Sequence, residues 1–244
     1  MSARYGLARV LSKRGLCSRS EAARLVAAGR VRVGGRVVRD PEAPTLLDAD
    51  VAIDGDEAAA AEPLHLLLNK PRGLVTTRSD EQGRATVYDC FAGADLPWIA
   101  PVGRLDRASE GLLLFSNDPA FAAAITDPEQ GIEKTYHVQV EGLVDADALR
   151  RMEAGIDIDG ERWRAARATL LRSGAKNCWL EIVLDEGRNR QIRRMLEALG
   201  FPVLRLVRVA IGGLSLGDLA KGRWRRLTDA DIVALQLPET GRGA

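Results

Sequence analysis

The side chains best suited to chemistry lie in residues 101–118, where Asp106 stands between Arg104 and Arg107 and the apolar stretch Leu112-Leu113-Leu114-Phe115 follows. A carboxylate in a tight polar turn that leads straight into a buried strand is held on a rigid edge, and neighbouring guanidinium groups favour its ionised form. Such a group can attack an electron-poor carbon or remove a proton. On the residues alone, a structural turn aspartate is the simpler account of Asp106. A second basic run, Arg188, Arg190, Arg193 and Arg194, surrounds Gln191-Ile192 and suits either a carboxylate partner or a solvated, phosphate-binding face. Tyr136 alternates with Val138 and Val140 on a strand, a pattern that fits a packed core tyrosine as well as a site residue. His65 and His137 sit on apolar strands without Cys or carboxylate at ligand spacing, so no metal centre is expected. A Gly-x-x-x-x-Gly-Lys-Ser/Thr phosphate loop does not occur, so no nucleotide cofactor is expected either.

The elements that must position these groups follow from spacing. Leu7, Val10 and Leu11 recur at helical intervals, and Ser18-Arg19-Ser20-Glu21 reads as a capping box ahead of a helix that stops at Gly29. Val31-Arg32-Val33 and Arg36-Val37-Val38 read as two short strands around the turn Gly34-Gly35. Residues 54–63 carry Ala58 and its neighbouring alanines among acids and read as a linker. Strands are expected at 64–69, 74–77, 112–115, 136–140, 179–184 and 204–209, and helices around 120–125, 146–154 and 190–199. The last helix has Ile192, Met195, Leu196 and Leu199 at core spacing before Gly200. No strand-helix-strand repeat or glycine fingerprint runs through these elements, which points to an α+β class with a mixed or antiparallel sheet. Residues 237–244 read as an untethered tail.

Hydrophobic residues at 46% and charged residues at 28% are ordinary for a globular chain. The formal net charge of +1 conceals a steep asymmetry. Arg4, Arg9, Lys13, Arg14, Arg19, Arg24, Arg30, Arg32, Arg36 and Arg39 face only Glu21 and Asp40 in residues 1–40, whereas residues 41–63 hold acids and no base. A basic head of this kind suits phosphate. Cys17, Cys90 and Cys178 are odd in number and far apart, which suits a reducing compartment. The start lacks the apolar run of a secretory signal and no stretch approaches a membrane span, so the cytoplasm is the expected location.

Two resemblances sharpen these readings. Residues 5–55, chiefly Leu11-Ser12-Lys13-Arg14-Gly15-Leu16-Cys17-Ser18-Arg19-Ser20-Glu21-Ala22 and Gly29-Arg30-Val31-Arg32-Val33-Gly34-Gly35, resemble the alpha-L RNA-binding module of the ribosomal-protein-S-four type. Gly103-Arg104-Leu105-Asp106 with Ser109-Glu110-Gly111-Leu112-Leu113-Leu114 resembles the signature of the RsuA/RluB-type pseudouridine synthases. Leu67-Leu68-Asn69-Lys70-Pro71, Lys134-Thr135-Tyr136 and Gly187-Arg188-Asn189-Arg190-Gln191-Ile192-Arg193-Arg194 match further family segments. The implied organisation is an alpha-L module over residues 1–60 and a pseudouridine synthase domain over 61–244.

The resemblance also implies site roles. Asp106 takes the catalytic carboxylate's place, acting at the ribose either as nucleophile or as base; Arg193 pairs with it; Tyr136 stacks on the everted uracil; and Leu184 floors the base pocket. Arg14, Arg19, Arg30, Arg104, Arg188, Arg190 and Arg194 become the expected RNA contacts. The expected partner is ribosomal RNA or a ribosomal subunit precursor, with no metal, cofactor or membrane and with a monomeric enzyme. A non-catalytic RNA-binding ribosome assembly factor is the alternative, and a metal-dependent phosphodiesterase is a third reading that would need clustered carboxylates.

Overall fold

A computed structural model of the chain describes residues 3–237, so the tail expected after Leu237 lies outside the described residues. The chain forms two compact units, one drawn from the residues up to Leu66 with Gly93–Val102 and Phe115–Ala123, the other from Leu67–Ala92, Gly103–Leu114 and Ala124 onward.

The first unit opens with β1 (Arg4–Gly6), α1 (Leu7–Lys13) and α2 (Arg19–Ala27), followed by β2 (Val31–Val33), β3 (Arg36–Val37), β4 (Pro44–Leu46), β5 (Val51–Ile53) and β6 (Asp56–Glu57). β1 pairs with β4, while β3-β2-β5-β6 form a small sheet. Leu7, Leu11, Ala22, Val26, Val31 and Val51 converge in its core. The Ser18 hydroxyl caps α2 by accepting from the Glu21 amide, but the Glu21 carboxylate pairs with Arg24 rather than closing the expected box. Gly34 and Gly35 take left-handed φ values of 53° and 76°, the geometry a two-residue hairpin needs. The linker expected from residue 54 does not begin there. Asp54 and Gly55 turn with φ 55° and 98°, β6 pairs back onto β5, and Ala58 is buried in the core. An Asp-Gly hairpin turn explains this, a signal that the acidic, alanine-rich composition obscured. Further along, His65 stacks on Phe121 at 3.9 Å between ring centroids and meets Ser116 Oγ at 2.9 Å, a satisfied interior histidine.

The larger sheet is built from β7 (His65–Lys70), β8 (Ala100–Val102), β9 (Glu110–Ser116), β10 (Lys134–Glu141), β13 (Arg167–Ser173), β14 (Asn177–Leu184), β15 (Val203–Ile211), β16 (Leu214–Ser215) and β17 (Trp224–Arg226), with β11 (Ile156–Ile158) and β12 (Glu161–Trp163) forming a separate hairpin. Its order is β13-β14-β10-β15-β9-β7-β17. Neighbours from β13 to β15 are antiparallel, whereas β15 and β9 are parallel, so the sheet is mixed as expected. Every residue of β9 is buried, the pattern of a strand covered on both faces. The helices are α3 (Pro119–Thr126), α4 (Ala146–Ala154), α5 (Gln191–Ala198) and α6 (Asp229–Ala234). α4 and α5 bury Ala148, Met152, Ile192, Met195 and Leu196 against Val138, Val140, Leu180 and Ile182 of the sheet. Residues 74–77 do not form the expected strand beyond a bridge from Val75 to Thr86. Thr76 and Thr77 instead bond through their hydroxyls to the Leu105 and Ser79 carbonyls, a local competition that draws the backbone out of a ladder.

Candidate active site

Asp106 lies in the turn between Gly103 and β9, which the Ser109 amide closes by donating to the Asp106 carbonyl at 2.9 Å. Lys70, at the end of β7, is fully buried and anchors that turn. Its ammonium donates to the carbonyls of Pro71 (3.2 Å), Asp106 (3.2 Å) and Ser109 (2.9 Å). Burial pushes the Lys70 pKa down to about 8, against the opposing pull of Asp106, Cys90 and Glu110. The Thr76 hydroxyl donates to the Leu105 carbonyl at 2.7 Å, and the Gly73 amide donates to the Arg107 carbonyl at 2.7 Å. The backbone is therefore fixed from several sides while the Asp106 side chain stays 36% exposed, an arrangement that presents a carboxylate from a rigid loop.

The cations facing it come from the start of α5. Arg190, the N-cap, takes φ 54° and places Nη1 3.8 Å from Asp106 Oδ2. Arg193 donates instead to the carbonyls of Ala108 (3.3 Å) and Val203 (3.5 Å), and its Nε is buried without a partner. Among the described residues the ion pair to Asp106 is made by Arg190, while the donors of Arg193, the partner expected from the resemblance, are turned to backbone oxygens. Arg193 nevertheless feels the carboxylate. Burial chiefly lowers its pKa, Arg190 and Arg72 act in the same direction, and Asp106 opposes them. Gln191, 2% exposed, secures the start of the helix by donating to the Arg164 carbonyl and accepting from the Arg188 amide.

Tyr136 is half-buried against the core, with Ile182 on β14 and Arg208 on β15 as register partners. Leu184, 4% exposed, is the register partner of Lys134. Glu110, just past the turn, is buried and ion-paired with Arg205 (2.7 Å) and Lys221. A rigidly held carboxylate, a nearby guanidinium pair and an aromatic side chain on β10, across β15 from β9, suit chemistry at a sugar carbon beside a stacked ring.

Residues 64–198 match the model of the RNA pseudouridylate synthase family, and residues 6–44 match the S4 domain model. The ribosomal large subunit pseudouridine synthase B of Bacillus subtilis (strain 168) is 36% identical over 242 residues, covering 98% of each chain. This chain belongs to the RNA pseudouridylate synthase family. An uncharacterized RNA pseudouridine synthase of Aquifex aeolicus (strain VF5) is 37% identical over 92% of this chain and 91% of its own length. A crystal structure of a pseudouridylate synthase, 28% identical, superposes with a TM-score of 0.67 over 96% of this chain and all of that one.

Several arginines of this synthase that the sequence assigns to RNA are engaged internally. Arg14 donates to the carbonyls of Leu47 (2.9 Å), Ala58 (3.0 Å) and Ala49, clipping the first unit together rather than standing free for phosphate. Arg19 pairs with Glu42 at 3.4 Å and Arg30 forks onto Asp54, whose carboxyl it holds below its ordinary value. Arg188 and Arg194 lie over the Trp163 ring at 5.3 and 4.5 Å from its centroid. Arg188 also pairs with Glu161 and Glu186, and Arg194 with Asp159. Arg104 is exposed in the Asp106 turn. The synthase's free cations in the first unit include Arg9 and Lys13, which lie over Tyr5 at 5.4 and 4.7 Å and have no ion pair among the described residues. No group of three or more His, Cys, Asp or Glu among the described residues is arranged to hold a metal ion.

Three groups escaped sequence reasoning. Lys70 had a signal, a lysine closing an otherwise apolar strand, but two of its three acceptors, Asp106 and Ser109, lie in a turn far along the sequence. Arg208 had one in its parity with the buried Leu206. Lys134 had one in the matched segment Lys134-Thr135-Tyr136, where only Tyr136 received a role.

Proposed function

We propose that this enzyme isomerises one uridine of ribosomal RNA to pseudouridine, with Asp106 acting at the ribose of an everted nucleotide. A uridine within folded RNA is out of a carboxylate's reach until it leaves its stack, at a cost of a few kcal/mol. Exposed Arg104 beside Asp106 is placed to fill the vacated position or to hold a phosphate. Tyr136 stacks on the uracil and Leu184 floors its pocket. Arg190 faces the Asp106 carboxylate and Arg193 holds the loop that carries it. Redox chemistry is not called for, since one bond breaks, another forms and a proton moves from carbon to nitrogen.

The observation that carries this reading is the presentation of Asp106: backbone caged by fully buried Lys70, carboxylate exposed and facing a guanidinium. In the proposed organisation, residues 1–60 grip the RNA and residues 61–244 carry out the reaction. The enzyme works as a cytoplasmic monomer. The likeness to a relative named for the large ribosomal subunit favours a target in large-subunit RNA. No described helix is long and apolar enough to cross a membrane. Asp106→Asn is expected to abolish pseudouridine formation in ribosomal RNA transcripts while leaving RNA affinity near the wild-type value; normal conversion by this variant would remove Asp106 from the chemistry.

A further inference from the structure

Whichever route Asp106 takes, breaking the bond from C1′ to N1 leaves its electron pair on the uracil. Arg190 and Arg193 face the carboxylate and its loop, so neither answers the charge on the base. Two other cations share the strand face of Tyr136. Lys134 precedes Tyr136 by two residues on β10 and faces Leu184 in register, so both side chains project to one side. Arg208 is the register partner of Tyr136 on β15, and Gly111 on β9 continues that row. Arg208 is 6% exposed; its Nε donates to the Leu112 carbonyl at 2.8 Å, and one Nη is buried without a partner. No carboxylate pairs with it among the described residues.

The two segments that meet at Asp106 bracket this patch. Gly111 lies just past the Asp106 turn, and Leu184 leads through residues 185–189 to Arg190, which faces Asp106. Arg208 pairs with Tyr136 two residues along β10 from Lys134, so the two cations lie diagonally across neighbouring strands, and burial and Arg208 lower the Lys134 pKa while Asp185 opposes them. A buried guanidinium without a counter-ion beside a half-buried ammonium is costly to fold. Such an arrangement is explained where an anion arrives during the working cycle.

We propose that Lys134, with Arg208 beside it, takes up the negative charge of the uracil ring as its bond to the ribose breaks. In the nucleophilic form, a carboxylate oxygen of Asp106 bonds to C1′ while the C1′–N1 pair moves into the ring and spreads over N1, O2 and O4. The Lys134 ammonium donates to a ring oxygen and keeps its proton. After the ring turns, C5 bonds to C1′ and the carboxylate recovers its pair. The C5 proton is then lost and N1 gains one. The base-initiated form passes through the same ring anion, so the role of Lys134 is unchanged.

The inference rests on the role proposed for Asp106. The test compares wild type with Lys134→Met and Lys134→Arg in the full-length protein, in single turnovers on transcribed ribosomal RNA carrying uridine or 5-fluorouridine. Lys134→Met is expected to slow cleavage of the glycosidic bond by about 10²–10³-fold, the range for removing one group that stabilises developing charge. RNA affinity should stay within about threefold, and Lys134→Arg should recover most of the rate. Fluorine withdraws electrons and supports the ring's charge, so the defect should shrink at least about tenfold on 5-fluorouridine. Equal losses on both RNAs would mark a structural role, and a loss confined to affinity would mark a phosphate contact; either overturns the inference. Full activity of Lys134→Met alongside an inactive Asp106→Asn would sink this inference alone. An active Asp106→Asn would sink the reading beneath it.

Discussion

Asp106 owes its setting to Lys70 more than to the arginines beside it in sequence. The folded-state pKa of Lys70, about 8, lies below the ordinary lysine value of 10.5 because burial disfavours the charged amine. Between about 8 and 10.5 the unfolded chain binds more proton at this group, so its contribution to stability rises with pH across that window. Catalysis should move the other way, because the neutral amine keeps two N–H groups for three carbonyls and the Asp106 loop loosens. The single-turnover rate is therefore expected to fall as pH passes through about 8, with no parallel drop in melting temperature. A rate that stays level to pH 10 would contradict the anchoring role. The two arginines of α5 should also separate. Arg190→Gln removes an exposed contact worth under about 1 kcal/mol and should cost less than about tenfold in rate. Arg193→Gln strips the Ala108 and Val203 carbonyls of their donor and should cost about 10²-fold or more. The reverse order in single turnovers would make Arg190 the essential partner.

Among the elements, β9 and β15 pair side by side at Gly111 and Arg208. A Cβ there would lie 2.2 Å from the Arg208 carbonyl oxygen, and φ is +100°, a conformation that L side chains rarely adopt. Gly111→Ala should destabilise the protein by about 3 kcal/mol or more, read as a lower urea midpoint at unchanged slope. Strands and helices with strong periodicity were legible in the sequence: β9, β10, β14, β15, α4 and α5 each carry an apolar pattern that packing alone explains. Others were not. β13 is an edge strand with all but Ala168 exposed, so it has no alternation to read. The acidic β11–β12 hairpin is too short for a period, and β6 hid within what looked like a linker. At the site, residue types and resemblance singled out Asp106 and Tyr136, because each sits in a contiguous segment. They did not reach the Lys70 cage, nor the contact of Arg190 with Asp106, because both depend on which groups the fold brings near a cation.

For the whole molecule, charge along the chain is a poor guide to charge in space. The acidic residues 41–63 fold back on the basic ones before them, through Arg19 with Glu42 and Arg30 with Asp54. Residues 7–58 also share a core of their own. Removing residues 1–61 should therefore leave a cooperative melting transition and weaken binding to ribosomal RNA, with a shallower dependence of affinity on salt. Unchanged affinity would deny the module its gripping role.

The hairpin that clasps Arg188 and Arg194 carries this logic to the catalytic unit. Glu161 and Glu186 already engage Arg188, and Asp159 engages Arg194. Any polyanion that reaches those guanidinium groups must evict a resident carboxylate, so it trades one contact for another and gains little from charge alone. Such an exchange favours a ligand whose contour presents several groups at once, and it turns away strands that offer nothing but negative charge.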